Sequence, residues 1–378
     1  GTSPGGFVRI SPNLGALKVD PAVNPIVGNI YHILTATGLS TGGTPDDYLY
    51  DFTIDDCNNK LVCTSWGPPT SFDAGFNPAL PYGTSIRVLK MPQEGSGTPS
   101  PNALVPEVSF NTTIYTNDAD ANGKEGVVPL EVRRTHVPNQ EIYFLGITLP
   151  GAIDVVYKNT TTGVWEKKIV ISPKQLVADC LNTSLISNQT STSRVVVPSG
   201  NVLGAGTLSV PLVTDITLSE DDKYLYVSCW LAGVVLQYDV SDPLNVKLVG
   251  GVGNLGGNVT LGAFNTNSYT YAPGKQFAGG PQMLRLDPSG QNLYVTNSLF
   301  SSWDDQFYSA GTGSIRDQGG MMIKLKTGAK RGAKAAAMSI DTAFAKGGVV
   351  EFSGLRHPNV TGPFTSRAHE SHVVGVRH

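Results

Sequence analysis

The sequence has few cysteines for its 378 residues: Cys57, Cys63, Cys180 and Cys229. No two of them form a CxxC pair, so neither a disulfide framework nor a zinc knuckle is indicated. There is no excess of either charge, with 27 Lys plus Arg against 30 Asp plus Glu. Without a basic stripe, a nucleic-acid partner is not expected. No apolar run approaches the roughly 18 residues of a membrane span. The first residue is Gly1, not Met, and no signal-peptide pattern follows it. A GxGxxG string occurs at Gly251 to Gly256. A dinucleotide site needs a following helix and an acidic residue about 20 positions on, and neither is present, so the string reads as a loop.

Glycine and proline are abundant, at 43 and 25 residues, which fits a loop-rich all-β chain. From Leu212 to Tyr308 one phrase is written twice. It reads LVTDITLSEDDKYLYVSCWLAGVVLQYDVSDP and then FAGGPQMLRLDPSGQNLYVTNSLFSSWDDQFY. In each copy a short apolar strand meets an acidic or Pro/Gly turn, and a second strand follows. Earlier copies stand in YLYDFTIDDCNNKLVCTSWGPP and in VPLEVRRTHVPNQEIYFLGITLPGAIDVVYKN. The units begin near Asp51, Leu130, Asp215 and Met283, each with about four short strands, as in a β-propeller blade. Their spacing exceeds the roughly 40–45 residues of WD40 repeats, so long inter-strand loops are expected. Asp179 to Gly206 is taken as such a loop, and the Ala/Lys-rich Ala329 to Ala345 as a short helix. Residues 1–378 are expected to form a single propeller domain. GGFVRISP reads at once as a strand, as if the chain were entered in mid-fold and the domain were incomplete at its N-terminus.

The Leu212–Tyr308 phrases resemble the selenium-binding protein / methanethiol oxidase family. So do RAHE at Arg367 to Glu370, DAGFNPALPYGTSIRV at Asp73 to Val88, and VPLEVRRTHVP followed by YKN. The resemblance implies a seven-bladed propeller, of which this chain contributes about four to five blades. It implies copper-dependent oxidation of a small thiol: methanethiol, oxygen and water would give formaldehyde, hydrogen sulfide and hydrogen peroxide. Selenium binding is implied as well. Several family features are missing here: an N-terminal CxxC-like segment, the selenium-linked cysteine, a His-His-x-Gly-Trp stretch and a cysteine-bearing C-terminus. A ring with open edges is a pairing hazard, so a second chain or a cleaved segment is expected to complete it. The family favours the cytoplasm, with secretion or the periplasm left open. The six Asn-x-Ser/Thr sites matter only for a secreted chain.

A copper centre takes imidazole or sulfur ligands. His136 and His369 match family histidines and are the candidate ligands. His372, which makes His-x-x-His with His369, is a further candidate, set against the bland alternative of hydrogen-bonded loop histidines. Trp303 and Asp304 read as a channel-mouth wall or as an aromatic plug between blades. Asp215 reads as facing the channel, capping a turn or packing between blades. Cys229 reads as a small buried hydrophobe, and Cys57 and Cys63 as free thiols. The functional expectation is a copper-dependent thiol oxidase. The alternative is a non-catalytic propeller that binds selenium species or a protein partner.

Overall fold

The computed structural model describes residues 44–68, 70–73, 80–91, 105–113, 122–189, 207–256, 268–308, 315–328 and 337–352, with short strands at 6–8, 10–11, 18–19, 30–32 and 196–198. Among the described residues, short apolar strands joined by polar turns assemble into four sheets of four or five strands, mainly antiparallel and each a propeller blade, beside four two-stranded sheets. Blade 1 is Leu49–Asp55, Lys60–Ser65, Ser85–Lys90 and Val105–Asn111. Blade 2 is Gly126–Arg134, Ile142–Pro150, Ala152–Lys158 and Trp165–Ile171. Blade 3 is Val213–Leu218, Tyr224–Cys229, Val234–Asp239 and Lys247–Val252, with Ile186–Ser187 added in parallel at its outer edge. Blade 4 is Leu284–Leu286, Asn292–Thr296 and Met321–Lys326, which Ser339–Ile340 and Val349–Glu351 both flank.

The first hairpins of blades 1, 3 and 4 close by local chemistry. Asp55 accepts from the Asn58 amide and side chain, and Asn59 takes φ +53°. Ser219 Oγ accepts from the Lys223 and Tyr224 amides, and Asp222 takes φ +55°. Asp287 accepts from the Gln291 and Asn292 amides, and Gly290 takes φ +70°. Asn, Asp and Gly tolerate the left-handed region, which explains their place in these turns. Blade 2 borrows its cap instead. Asp222, from the turn of blade 3, accepts from the backbone amides of His136 and Val137.

Two expectations about local structure change, and one further helix is found. Asp179–Gly206 is not wholly a loop, because a helix, Pro173–Cys180, runs into its first two residues. Ser172 caps that helix through the Gln175 amide and Pro173 stands at its start, the usual helix-opening pair. SSWDDQF, for which no element was expected, is the further helix, Ser301–Phe307. Within Ala329–Ala345 the described residues form the strand Ser339–Ile340 and turns, not a helix. The GxGxxG string begins on the outer strand of blade 3. A Cβ at Gly251 would lie 2.7 Å from the Val235 carbonyl oxygen, so close backbone packing accounts for that glycine.

One apolar cluster joins all four blades where the inner strands begin. Phe72 comes from blade 1, Leu130 and Phe144 from blade 2, and Ile216 and Trp230 from blade 3, while Leu299 and Trp303 follow the second strand of blade 4. Trp66 stacks on Phe72 at 4.0 Å, and Phe72 on Trp303 at 5.9 Å. Trp303 Nε1 and Ser302 Oγ both donate to the Phe72 carbonyl, at 3.2 and 2.9 Å, tying blade 4 to blade 1. The Tyr308 hydroxyl donates to the Trp230 carbonyl at 2.6 Å, tying blade 4 to blade 3. Trp303→Ala is expected to cost about 3–5 kcal/mol. Urea unfolding checks this, and a loss below about 1 kcal/mol would show that the plug does not hold the blades together.

Candidate functional site

The inner strands lie side by side, blade 1 against blade 2, 2 against 3 and 3 against 4, and so line the axis of the arc. Their register identifies equivalent residues. Phe52, Val132, Ile216 and Leu284 pair with Cys63, Leu145, Val227 and Val295 on the second strands. The preceding residues are therefore equivalent too: Asp51, Glu131, Asp215 and Met283. Two of them clip the next blade. Asp51 Oδ2 accepts from the Val132 amide at 2.9 Å, and Asp215 Oδ2 from the Leu284 amide at 2.6 Å. Hydroxyls repeat the device one strand out, where Thr64 Oγ1 donates to the Leu130 carbonyl and Ser228 Oγ to the Gln282 carbonyl, both at 2.7 Å.

Between blades 2 and 3 the device changes. Gly146 stands where the other blades have hydroxyls, and its missing Cβ admits Val213 and Ile216 of blade 3. Arg133 makes the connection there. Nη1 donates to Asp51 at 2.6 Å, and Nη2 donates to Glu131 at 2.6 Å and to Asp215 at 2.9 Å. Glu131 and Asp215 are buried, with side chains 3% and 1% exposed. Burial pushes Asp215 up to about 6 against the pull of Arg133, and it holds Glu131 well above the usual carboxylate range. Burial opposes the charge on Arg133, but the three carboxylates overcome it and raise its pKa. Tyr50 faces the same cluster, and burial followed by the nearby carboxylates raises its hydroxyl far above the usual range.

Where the inner strands end, opposite the aromatic plug, a pocket of about 320 Å³ opens. Blade 2 contributes Arg133, Arg134 and His136, and blade 4 contributes Arg285, Leu286 and Pro288. Thr217, Leu218 and Glu220 of blade 3 lie between them. His136 is exposed, and its Nδ1 bonds the Asp222 carboxylate at 2.7 Å. That hydrogen bond raises the imidazole pKa above its ordinary value.

The predicted site residues are scattered by the structure. His136 is at the pocket, while His369 and His372 lie outside the described residues. Trp303 is in the plug at the other end, 1% exposed. Asp304 is buried beside it, accepting from Ser298 Oγ and the Leu299 amide. Asp215 packs blade on blade. Arg133, Arg134 and Arg285 were not singled out from sequence, although the Arg133-Arg134 pair beside His136 was a visible signal. Asp222 on Nδ1 leaves Nε2 of His136 for a metal, the usual orienting arrangement, so one imidazole fits. Among the described residues, no group of three or more His, Cys, Asp or Glu side chains could hold a metal ion. Among the described residues, His136 alone does not make a copper centre. All four cysteines are free, and only Cys57 is exposed. Burial pushes Cys63 up to about 12 and holds Cys180 well above the ordinary thiol range, so neither is an activated thiolate.

Blades clipped edge to edge around an ionic axis define an all-β protein of the propeller class. A family profile described as 56kDa selenium binding protein (SBP56) matches residues 108–373, and the chain belongs to that family. It is 31% identical to a methanethiol oxidase of Xenopus tropicalis over 322 residues, 82% of this chain and 58% of the relative. It is 33% identical to a methanethiol oxidase of Rattus norvegicus, covering 73% of this chain and 51% of the relative. It is also 33% identical to selenium-binding protein 2 of Mus musculus, covering 68% of this chain and 48% of the relative. The chain thus spans about half the length of these relatives. The crystal structure of a hypothetical selenium-binding protein from Sulfolobus tokodaii superposes with TM-score 0.53 at 26% identity, over 80% of this chain and 56% of that one.

The Asp215 carboxyl gives a pH signature. Its folded pKa, about 6, lies above its ordinary value of 3.8. Its contribution to stability is therefore full below about pH 3.8 and is lost as pH rises through about 6. Asp215→Asn keeps an acceptor for Leu284 and cannot ionise. The wild-type-minus-variant stability difference, from denaturant melts, is expected to fall as pH rises from 4 to 7, and a pH-independent difference would count against this assignment.

Proposed function

We propose that the protein acts as an oxidase of small thiols of the methanethiol oxidase type. The observation carrying this is its 31–33% identity to relatives named methanethiol oxidase. In this reading methanethiol, oxygen and water give formaldehyde, hydrogen sulfide and hydrogen peroxide. His136 and His369, with His372 as a further candidate, are the residues that would hold a copper ion, which when bound would supply one-electron redox chemistry. The chain's own contribution at His136 is the Asp222 carboxylate, which fixes the ring and leaves Nε2 available. The alternative is a non-catalytic propeller that binds selenium species, as the name of the mouse relative suggests. It draws on the lack of a complete ligand group among the described residues.

Metal analysis and oxygen uptake separate the two readings. The oxidase reading expects bound copper and methanethiol-dependent uptake, both lost in His136→Ala with the fold retained by circular dichroism. Absence of copper and of thiol-dependent uptake in the wild-type protein would sink it.

We further propose that blades from a second chain or a cleaved segment complete the ring. Ile54 supports this. Its equivalents by register, Leu218 and Leu286, pair with Leu225 and Leu293 as Ile54 pairs with Leu61. Leu218 is 6% exposed at a blade–blade contact, but Ile54 is 44% exposed. Native mass spectrometry is expected to find an added polypeptide. A stable species of 40.0 kDa alone would contradict this proposal.

A further inference from the structure

Blade 2 buries a carboxylate that its architecture does not call for. Asp154 stands between Ala152 and Val156 on the third strand, on the face that packs against blade 1. By register it pairs with Leu145 as Leu236 pairs with Val227 in blade 3 and Ile323 with Val295 in blade 4. Those two blades put an aliphatic side chain at this level, and blade 1 has Arg87 there. Asp154 is fully buried, and neither of its carboxylate oxygens has a hydrogen bond. A buried group in that state is rare and calls for a reason. Among the described residues, Lys167 of the fourth strand is the cation beside it, with Nζ 3.5 Å from Oδ2. The same Nζ donates to Oε1 of Glu125, a second buried carboxylate, just ahead of the first strand. Lys167 pairs with Val156 as Leu248 pairs with Tyr238 in blade 3, so an aliphatic residue serves at its level too. Blade 2 thus holds an amine between two buried carboxyl groups, at levels where blade 3 has leucines.

We propose that Lys167 and Asp154 join in an intramolecular isopeptide bond, with Glu125 carrying the proton. The Nζ lone pair attacks Cγ of the protonated Asp154 carboxyl. Glu125 takes a proton from Nζ and passes it to the carboxyl hydroxyl, which leaves as water. A C–N bond forms, a C–O bond breaks, no electrons are transferred, and Glu125 ends as it began. The step needs a neutral acid and a neutral amine, and burial favours both. It holds the Asp154 carboxyl well above the usual carboxylate range and brings the Lys167 amine down to about 8. Neighbouring strands hold the two groups together, which replaces a bimolecular encounter by an intramolecular one. The product removes the unsatisfied carboxylate and staples the outer strand of blade 2 to the strand inside it. The inference does not rest on the oxidase reading, since no metal, thiol or oxidant enters the step.

The test is intact mass spectrometry of the purified, denatured 378-residue chain, followed by peptide mapping. The wild-type chain is expected to be lighter than its sequence by the mass of one water. Its digest is expected to contain a branched peptide that joins the Asp154 and Lys167 segments through an amide. Lys167→Arg, which keeps a cation for Glu125, and Asp154→Leu, which copies the aliphatic type of blade 3, are each expected to show the full sequence mass. Glu125→Gln, which cannot take up the proton, is expected to show the full mass as well. Circular dichroism checks that each variant is folded, and if one is not, the wild-type mass and digest decide alone. A folded wild-type chain at its full sequence mass, with no branched peptide, would overturn the proposal. So would a branch through Glu125 in place of Asp154, or a Lys167→Arg chain that still lacks one water.

Discussion

One guanidinium ties this structure together. Arg133 joins Asp51 of blade 1 to Asp215 of blade 3, and Asp215 in turn accepts from the Leu284 amide of blade 4. A continuous run of polar contacts therefore crosses four inner strands. Each carboxylate in it would be costly to bury alone. Together they are tolerable because a single delocalised cation serves three of them and backbone amides take the remaining oxygens of Asp51 and Asp215. Part of the cost stays visible as the upward shifts of Glu131 and Asp215. The blade 2–blade 3 contact depends most on Arg133, because there Gly146 supplies close approach but no hydrogen bond.

With its middle held this way, the axis is built differently at its two ends. Where the inner strands begin, Trp66, Phe72, Phe300 and Trp303 pack edge to face or stacked and close the axis with apolar surface. Where they end, Arg134, His136 and Arg285 leave it open and charged. Among the described residues, the pocket lined by Arg134, His136 and Arg285 lies at the second end. That places His136, with its ring turned by Asp222, in the same pocket as the arginines and away from Trp303.

The strand–turn–strand units were legible because their chemistry is local. Alternating apolar residues around Asp55, Ser219 and Asp287 specify a hairpin whatever surrounds it. Two helices were missed for different reasons. Pro173–Cys180 had a readable start in Ser172 and Pro173, hidden by the polar stretch that follows. Ser301–Phe307 carries no side-chain cap on Phe300 and is held by tertiary contacts of Trp303 and Tyr308. The site was less legible than the fold. His136 was found by resemblance, whereas nothing in a linear pattern says that Arg134 and Arg285, far apart in the chain, face one cavity.

The sequence by itself determined the all-β class, the repeated hairpins, the family and the residue types on which any chemistry must draw. These follow from periodicity, turn propensity and motif, all of which act over a few neighbouring residues. The tertiary structure decided the rest. Packing of one inner strand on the next put Asp51, Glu131 and Asp215 around Arg133 and made Asp215 a clip between blades 3 and 4. The same packing sent Trp303 to the closed end and His136 to the open one. The physical reason is register. A strand's pairing sets which residues of adjacent blades stand level, and only residues that stand level can share a charge, a hydrogen bond or a ligand.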